Sequence, residues 1–205
     1  MNALIVFAVM LAPPPHYESV AVDDITVLLI QMKKSLTVKQ AESLSNAVVD
    51  AGGRYDIDPL FLLAVGYTES RWSMKMRSGD KGKSHGIFQM TLGVARTVEF
   101  GGIFEDEVAK KSVYRSKKKQ IKLLRDIWVS SQTVAAYFAR LRKKYGSWAD
   151  VVYNCGPIRC GKKNGRRMKS TPATRGYWRN YKKIKNNLSE LVSVCGESEG
   201  SPNGL

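Results

Sequence analysis

Cysteine and histidine are both scarce in this 205-residue chain, and each shortage closes off a class of chemistry. Three cysteines cannot form a fully paired disulfide framework. Cys155 and Cys160 stand five apart around Gly156-Pro157, near enough for a small bridged loop or for no bond at all, and Cys195 is left over. The two histidines, His16 and His85, are not spaced with the cysteines as a zinc site requires, so neither metal nor cofactor is expected. The glycines around residues 79–86 match neither nucleotide-binding fingerprint, which excludes a phosphate cradle there. The apolar run over residues 60–65 is far too short to span a membrane. There is no internal repeat, and strand signals are few.

Acidic residues are missing from one half only. Residues 1–109 hold 10 Lys+Arg against 13 Asp+Glu, a net of −3, whereas residues 110–205 hold 23 against 5, a net of +18. So lopsided a charge implies a polyanionic partner: nucleic acid, an anionic membrane surface or an anionic polymer. No recognised nucleic-acid motif accompanies it, so nucleic acid is not the expected partner. The alternative is a solubilising coat with no specific partner.

The chain reads as mainly α (α+β), with one small hairpin or loop region near residues 78–91. Residues 1–36 form an N-terminal arm or signal-like segment. Residues 3–12 have the length of a signal-peptide apolar region, yet no Lys or Arg precedes Lys33 and residues 10–12 make a poor cleavage site. A second apolar burst at residues 25–30 has no assignable role. Residues 37–191 are the expected globular domain. Its first helix is predicted over residues 37–49, capped by Thr37 and striped by Ala41, Leu44, Ala47 and Val48, with Ala51-Gly52-Gly53 as its stop. Residues 103–126 read as a solvated helical segment. Val134, Tyr137, Phe138, Leu141 and Tyr145 predict a helix ending at Gly146, and a shorter one starts near Trp148 and closes at Gly156-Pro157. Residues 158–176 read as a basic loop and residues 177–191 as a last helix. Residues 192–205 read as a flexible tail.

One stretch carries chemistry. In residues 58–72 Asp58 is a suitable N-cap, Pro59 suits the first helical position, and the run that follows is apolar on nearly every side. Such a helix belongs inside the domain. It delivers Glu69 from the core at about its last turn, where desolvation and the negative end of the helix dipole both raise a carboxyl pKa. A carboxylic acid kept protonated near neutral pH is what a general acid needs. The competing reading is a surface Glu69 paired with Arg71.

Four short blocks decide between these readings. They are Thr68-Glu69-Ser70-Arg71-Trp72 after Ile57-Asp58-Pro59, Gly86-Ile87-Phe88-Gln89-Met90, Val152-Tyr153-Asn154-Cys155-Gly156-Pro157, and Ala173-Thr174-Arg175-Gly176-Tyr177. In order and spacing they resemble the SLT family of lytic transglycosylases, the goose-lysozyme-like cell-wall enzymes, over roughly residues 40–185. The resemblance implies a lysozyme-like fold and cleavage of the β-1,4 bond between N-acetylmuramic acid and N-acetylglucosamine in peptidoglycan, leaving 1,6-anhydromuramic ends. Glu69 would act as acid and then base. Ser70, Ser84, Gln89, Met90, Val152, Tyr153, Asn154 and Tyr177 would line the sugar site. Tyr153 would hold either Glu69 or the N-acetyl group, and Tyr177 would close the far side.

A hydrolase ordinarily needs two carboxylates flanking the bond. The nearest candidates for a second are Asp80 and Glu99, and Asp80 stands near where many members carry a serine. Whether Asp80 or Ser84 lines the site therefore stays open, and with it a muramidase alternative. The resemblance also makes a Cys155–Cys160 bridge beside the cleft conceivable. It gives the basic half a motivated partner in the anionic wall, with Lys143, Lys144, Lys162, Lys163, Arg166 and Arg167 contributing. A monomer working in the periplasm, outside the cell or on a virion is the expected setting.

Overall fold

The structure, a computed structural model, describes residues 20–73, 82–146, 149–155 and 172–198. Among them are ten helices and one two-stranded hairpin. The helices are α1 (Val22–Met32), α2 (Val38–Tyr55), α3 (Pro59–Ser70), α4 (Leu92–Thr97), α5 (Glu99–Gly102), α6 (Glu107–Tyr114), α7 (Lys117–Arg125), α8 (Ile127–Tyr145), α9 (Ala149–Cys155) and α10 (Pro172–Ser198). Strands β1 (Ser84–His85) and β2 (Met90–Thr91) pair antiparallel between α3 and α4.

Helix α3 sits at the centre. Asp58 accepts the Leu60 amide at 2.8 Å and Pro59 opens the first turn, as its missing amide allows. Leu60 and every residue from Leu62 through Gly66 are buried, so helices pack around it on several sides. Its C-terminus is abrupt: Arg71 and Trp72 are both left-handed, at φ 55 and 53. That reversal folds the fully buried Trp72 indole back to donate to the Leu63 carbonyl at 2.8 Å.

Several expectations change where packing overrides composition. Helix α2 begins with the expected Thr37 cap, as a reciprocal box with Gln40, but it runs through Gly52-Gly53 to Tyr55 and ends at left-handed Asp56. Gly52 is there for clearance: a Cβ would lie 2.6 Å from the Ile57 carbonyl and 2.8 Å from the Pro59 ring. The boundary drawn at residue 37 falls inside the packed unit. The apolar burst at 25–30 is the buried face of α1, whose Ile25, Leu28 and Leu29 are fully enclosed and whose Thr26 hydroxyl meets that of Ser45 at 2.9 Å.

The charged segment at 103–126 is indeed two mostly solvated helices. α6 buries nothing and α7 buries only Gln120 and Leu124. At the far end, residues 172–176 are helical and not loop, because Pro172 occupies a first-turn position and Thr174 and Gly176 are buried. Residues 192–198 continue the same helix instead of forming a tail, since polar composition signals a solvated turn and not the absence of one. Residues 1–19, 156–171 and 199–205 lie outside the described residues, and with them His16, Cys160, Gly156-Pro157 and the basic residues 162–167.

Glycine also seats the hairpin. Gly66 on α3 leaves room for Ile87 and Phe88, each only 3.1 Å from where a Cβ would stand. Gly86 opens the turn at φ +74, and a Cβ there would be 1.8 Å from the Leu124 carbonyl of α7. Backbone cannot yield that far, and the positive φ adds its own penalty. Gly86→Ala is therefore expected to cost more than ~2 kcal/mol and to lower the melting temperature by at least ~4 °C. Calorimetry of the variant against wild type checks this.

Candidate active site

Glu69 lies in the last turn of α3, partly exposed. Burial raises its pKa above the ordinary 4.5 by stripping water from the charged form, and a hydrogen bond from Tyr177 partly offsets the rise. The Tyr177 hydroxyl donates to Glu69 Oε1 and is itself 3.4 Å from the donating Asn154 Nδ2. Tyr177 is fully enclosed, and burial, then the Glu69 charge, push its own pKa far up, so it remains a donor. With Oε1 occupied as an acceptor, Oε2 is the oxygen left to carry an acid proton.

The partnership depends on how closely α10 meets the end of α3. A Cβ on Gly176 would stand 3.2 Å from Thr68 Cγ2, and Asn180 Nδ2 donates to Thr68 Oγ1 at 2.9 Å. Thr68 and Glu69, neighbours on one helix, are thus both tied to the other.

Tyr153 is bonded to the hairpin turn. Its ring stacks on Phe138 at 4.5 Å and its hydroxyl donates to the Phe88 carbonyl at 2.8 Å, so it braces the hairpin turn and not Glu69. It meets Tyr177 edge-on at 6.2 Å. Val152, beside it, is fully buried, while Asn154 is exposed with its amide towards the Tyr177 hydroxyl. On the hairpin, Met90 is buried opposite His85, and Ser84 is half-buried opposite Thr91. Gln89 is half-buried in a left-handed conformation at φ 49, with Nε2 closing the turn on the Gly86 carbonyl at 2.9 Å. Ser70 is spent on the helix end: its buried hydroxyl donates to Gly66 O and accepts from the Ser73 amide, each at 3.2 Å.

The Glu69–Arg71 ion pair does not form. Left-handed Arg71 turns its guanidinium over the Tyr67 ring, 4.7 Å from the centroid, and donates to that hydroxyl at 2.8 Å. Glu99 is taken by Lys110 at 2.6 Å. Asp80 lies outside the described residues. Among the described residues no group of His, Cys, Asp and Glu is arranged to hold a metal. Gly176 stands in the sequence only as a member of its motif and Asn180 carries no signal there, because a close approach between helices leaves no local pattern.

The family model for the transglycosylase SLT domain matches residues 46–175, well over half the chain. The chain belongs to this family. It is a peptidoglycan lytic transglycosylase with a mainly helical, lysozyme-like fold. No curated protein and no solved structure matches it. The match takes in α3, the hairpin, α8, α9 and the first turn of α10, and stops two residues before Tyr177. No helix among the described residues is long and apolar enough to cross a membrane.

The raised Glu69 pKa has a sign that can be tested. Between the unfolded and folded pKa values the native state keeps a proton that the unfolded chain has released, so stability falls as pH rises through that window. Glu69→Gln removes the desolvated charge and keeps the acceptor for Tyr177. It is expected to melt above wild type at about pH 8 and to lose the advantage near pH 4. Tyr177→Phe deletes the bond that favours the carboxylate, so the Glu69 pKa should climb further, read by carboxyl ¹³C titration. An unmoved carboxyl titration would show that the bond does not act on Glu69.

Proposed function

We propose that Glu69 serves as both the general acid and the general base of the transglycosylase reaction. Protonated on Oε2, it donates to the oxygen leaving C1 of N-acetylmuramic acid as the β-1,4 bond breaks. The carboxylate then takes the proton from the 6-hydroxyl of the same sugar, whose O6 closes on C1. The product is a 1,6-anhydromuramic end, the proton is back on Glu69, and no water is consumed. A second carboxylate is unnecessary because the substrate carries its own nucleophile.

The observation that carries this reading is a carboxyl at the end of a buried helix, raised by desolvation and paired with a neutral donor instead of a cation. A cation would have held it ionised. Gln89 and Asn154 are the polar groups we assign to sugar contact, Ser84 and Met90 to the hairpin edge of the cleft, and Tyr177 to holding Glu69. The net charge of +18 over residues 110–205 supports attraction to the anionic wall. Because peptidoglycan lies outside the cytoplasm, we place the enzyme in the periplasm, outside the cell or on a virion.

Glu69→Gln is expected to lower the release of fragments from purified sacculi by about 10³-fold or more while the fold survives. Residual activity within tenfold of wild type would remove Glu69 from the acid role. Mass spectrometry of the wild-type digest should show anhydro ends. Reducing ends alone would replace the transglycosylase chemistry with hydrolysis and turn attention to Asp80.

A further inference from the structure

At the opposite end of α3 from Glu69 the surface opens into a cavity of about 310 Å³, framed by α3, α8, α9 and α10. Asp58 and Glu69 stand eleven positions apart, or about 16 Å of helix rise. The two places are therefore distinct.

Aromatic rings form one side of this cavity. Phe61 lies 5.3 Å from Trp178 and 6.4 Å from Tyr181, and Trp178 meets Tyr181 nearly perpendicular at 5.8 Å. Trp178 is 48% exposed and lines this cavity. It is also held still: its indole N–H donates to Oδ2 of buried Asp150 at 2.7 Å. The Tyr181 hydroxyl donates to Asp58 Oδ2 at 2.7 Å, and Arg142 reaches the Asp56 carbonyl at 2.6 Å. An apolar face is thus rimmed by two oriented carboxylates and one guanidinium.

The mixture of signs selects the ligand. A simple cation would meet Arg142, and a simple anion would meet Asp58 and Asp150. A purely apolar group would cover the remaining acceptor positions of Asp58 and Asp150 and the remaining donors of Arg142. What remains is a neutral molecule with one apolar face and hydroxyl or amide groups around its edge, offering donors to the carboxylates and acceptors to the guanidinium. A pyranose ring has that form, and a cavity of this volume sits at the lower end of small-molecule sites, room for a single unit. We infer that this cavity is an accessory saccharide site, which holds one N-acetylated hexosamine of a glycan strand away from the point of cleavage. The choice of sugar rests on peptidoglycan being the substrate. A second hold on an insoluble polymer raises the effective concentration of bonds at Glu69 without touching the chemistry.

The test uses the full chain with Glu69→Gln to prevent turnover, titrated with the N-acetylglucosamine tetramer and followed by the indole N–H signals. Saturable movement of the Trp178 signal, with that of Trp128 unmoved, is expected. Trp128 is comparably exposed and its indole is bonded to Asp50. A Trp178 signal that stays still at millimolar tetramer, or that moves only in step with Trp128, overturns the proposal. In the active chain, Trp178→Ala should raise the half-saturating amount of sacculi about fivefold at unchanged maximal rate, and an unchanged half-saturation also overturns it. Since that variant is free to misfold, the titration of the Trp178-intact chain stands on its own. Failure of the substrate reading looks different: the wild-type chain then releases nothing from sacculi, whatever Trp178 does.

Discussion

A helix that is apolar all the way round has to be surrounded, and α3 places that demand on everything else. Leu60 and the stretch from Leu62 to Gly66 are inside, so α2, α8, α10 and the hairpin each cover part of its circumference. Enclosing a helix this tightly requires close approach, and glycine supplies it at three places: Gly52 against Ile57 and Pro59, Gly66 beneath Ile87 and Phe88, and Gly176 against Thr68. The last of these brings Tyr177 onto Glu69. The acid site is thus a consequence of how the core closes around one element, and its desolvation comes from the same burial that stabilises the fold.

The electrostatics of the two ends of α3 differ for a simple reason. At the N-terminus Asp58 caps the helix, accepting a backbone amide and the Tyr181 hydroxyl. At the C-terminus burial strips water from Glu69, so the neutral acid is favoured there. One helix therefore carries two carboxyl groups in different roles, a cap at one end and a desolvated acid at the other.

Much of this was legible beforehand. Asp58-Pro59, the apolar run and Glu69 gave the central helix and its acid, the stripe through Val134, Phe138 and Leu141 gave α8, and Gly-rich residues near 78–91 gave the hairpin. Local rules failed where a residue served a distant neighbour. Gly52-Gly53 reads as a stop, yet Gly52 is clearance for Pro59 at the start of α3; the unassigned burst at 25–30 puts Ile25, Leu28 and Leu29 in the core; Pro172 reads as loop and starts a helix. Tyr153 and Tyr177 were drawn to one site by their motifs. Which of them reaches Glu69 depends on the angle at which α9 and α10 arrive.

Residue order and composition alone predict that a carboxyl emerges from a buried helix and that the second half is strongly basic. Those are matters of composition, spacing and order along the chain. Tertiary structure alone decided that Arg71 turns away from Glu69, that a neutral tyrosine replaces it as partner, and that Trp178 and Asp150 frame a cavity at the other end of the helix. These are contacts between residues up to 108 positions apart, set by helix crossing and by the reversal at Arg71-Trp72. Periodicity says which face of a helix is buried, but not which neighbour it meets.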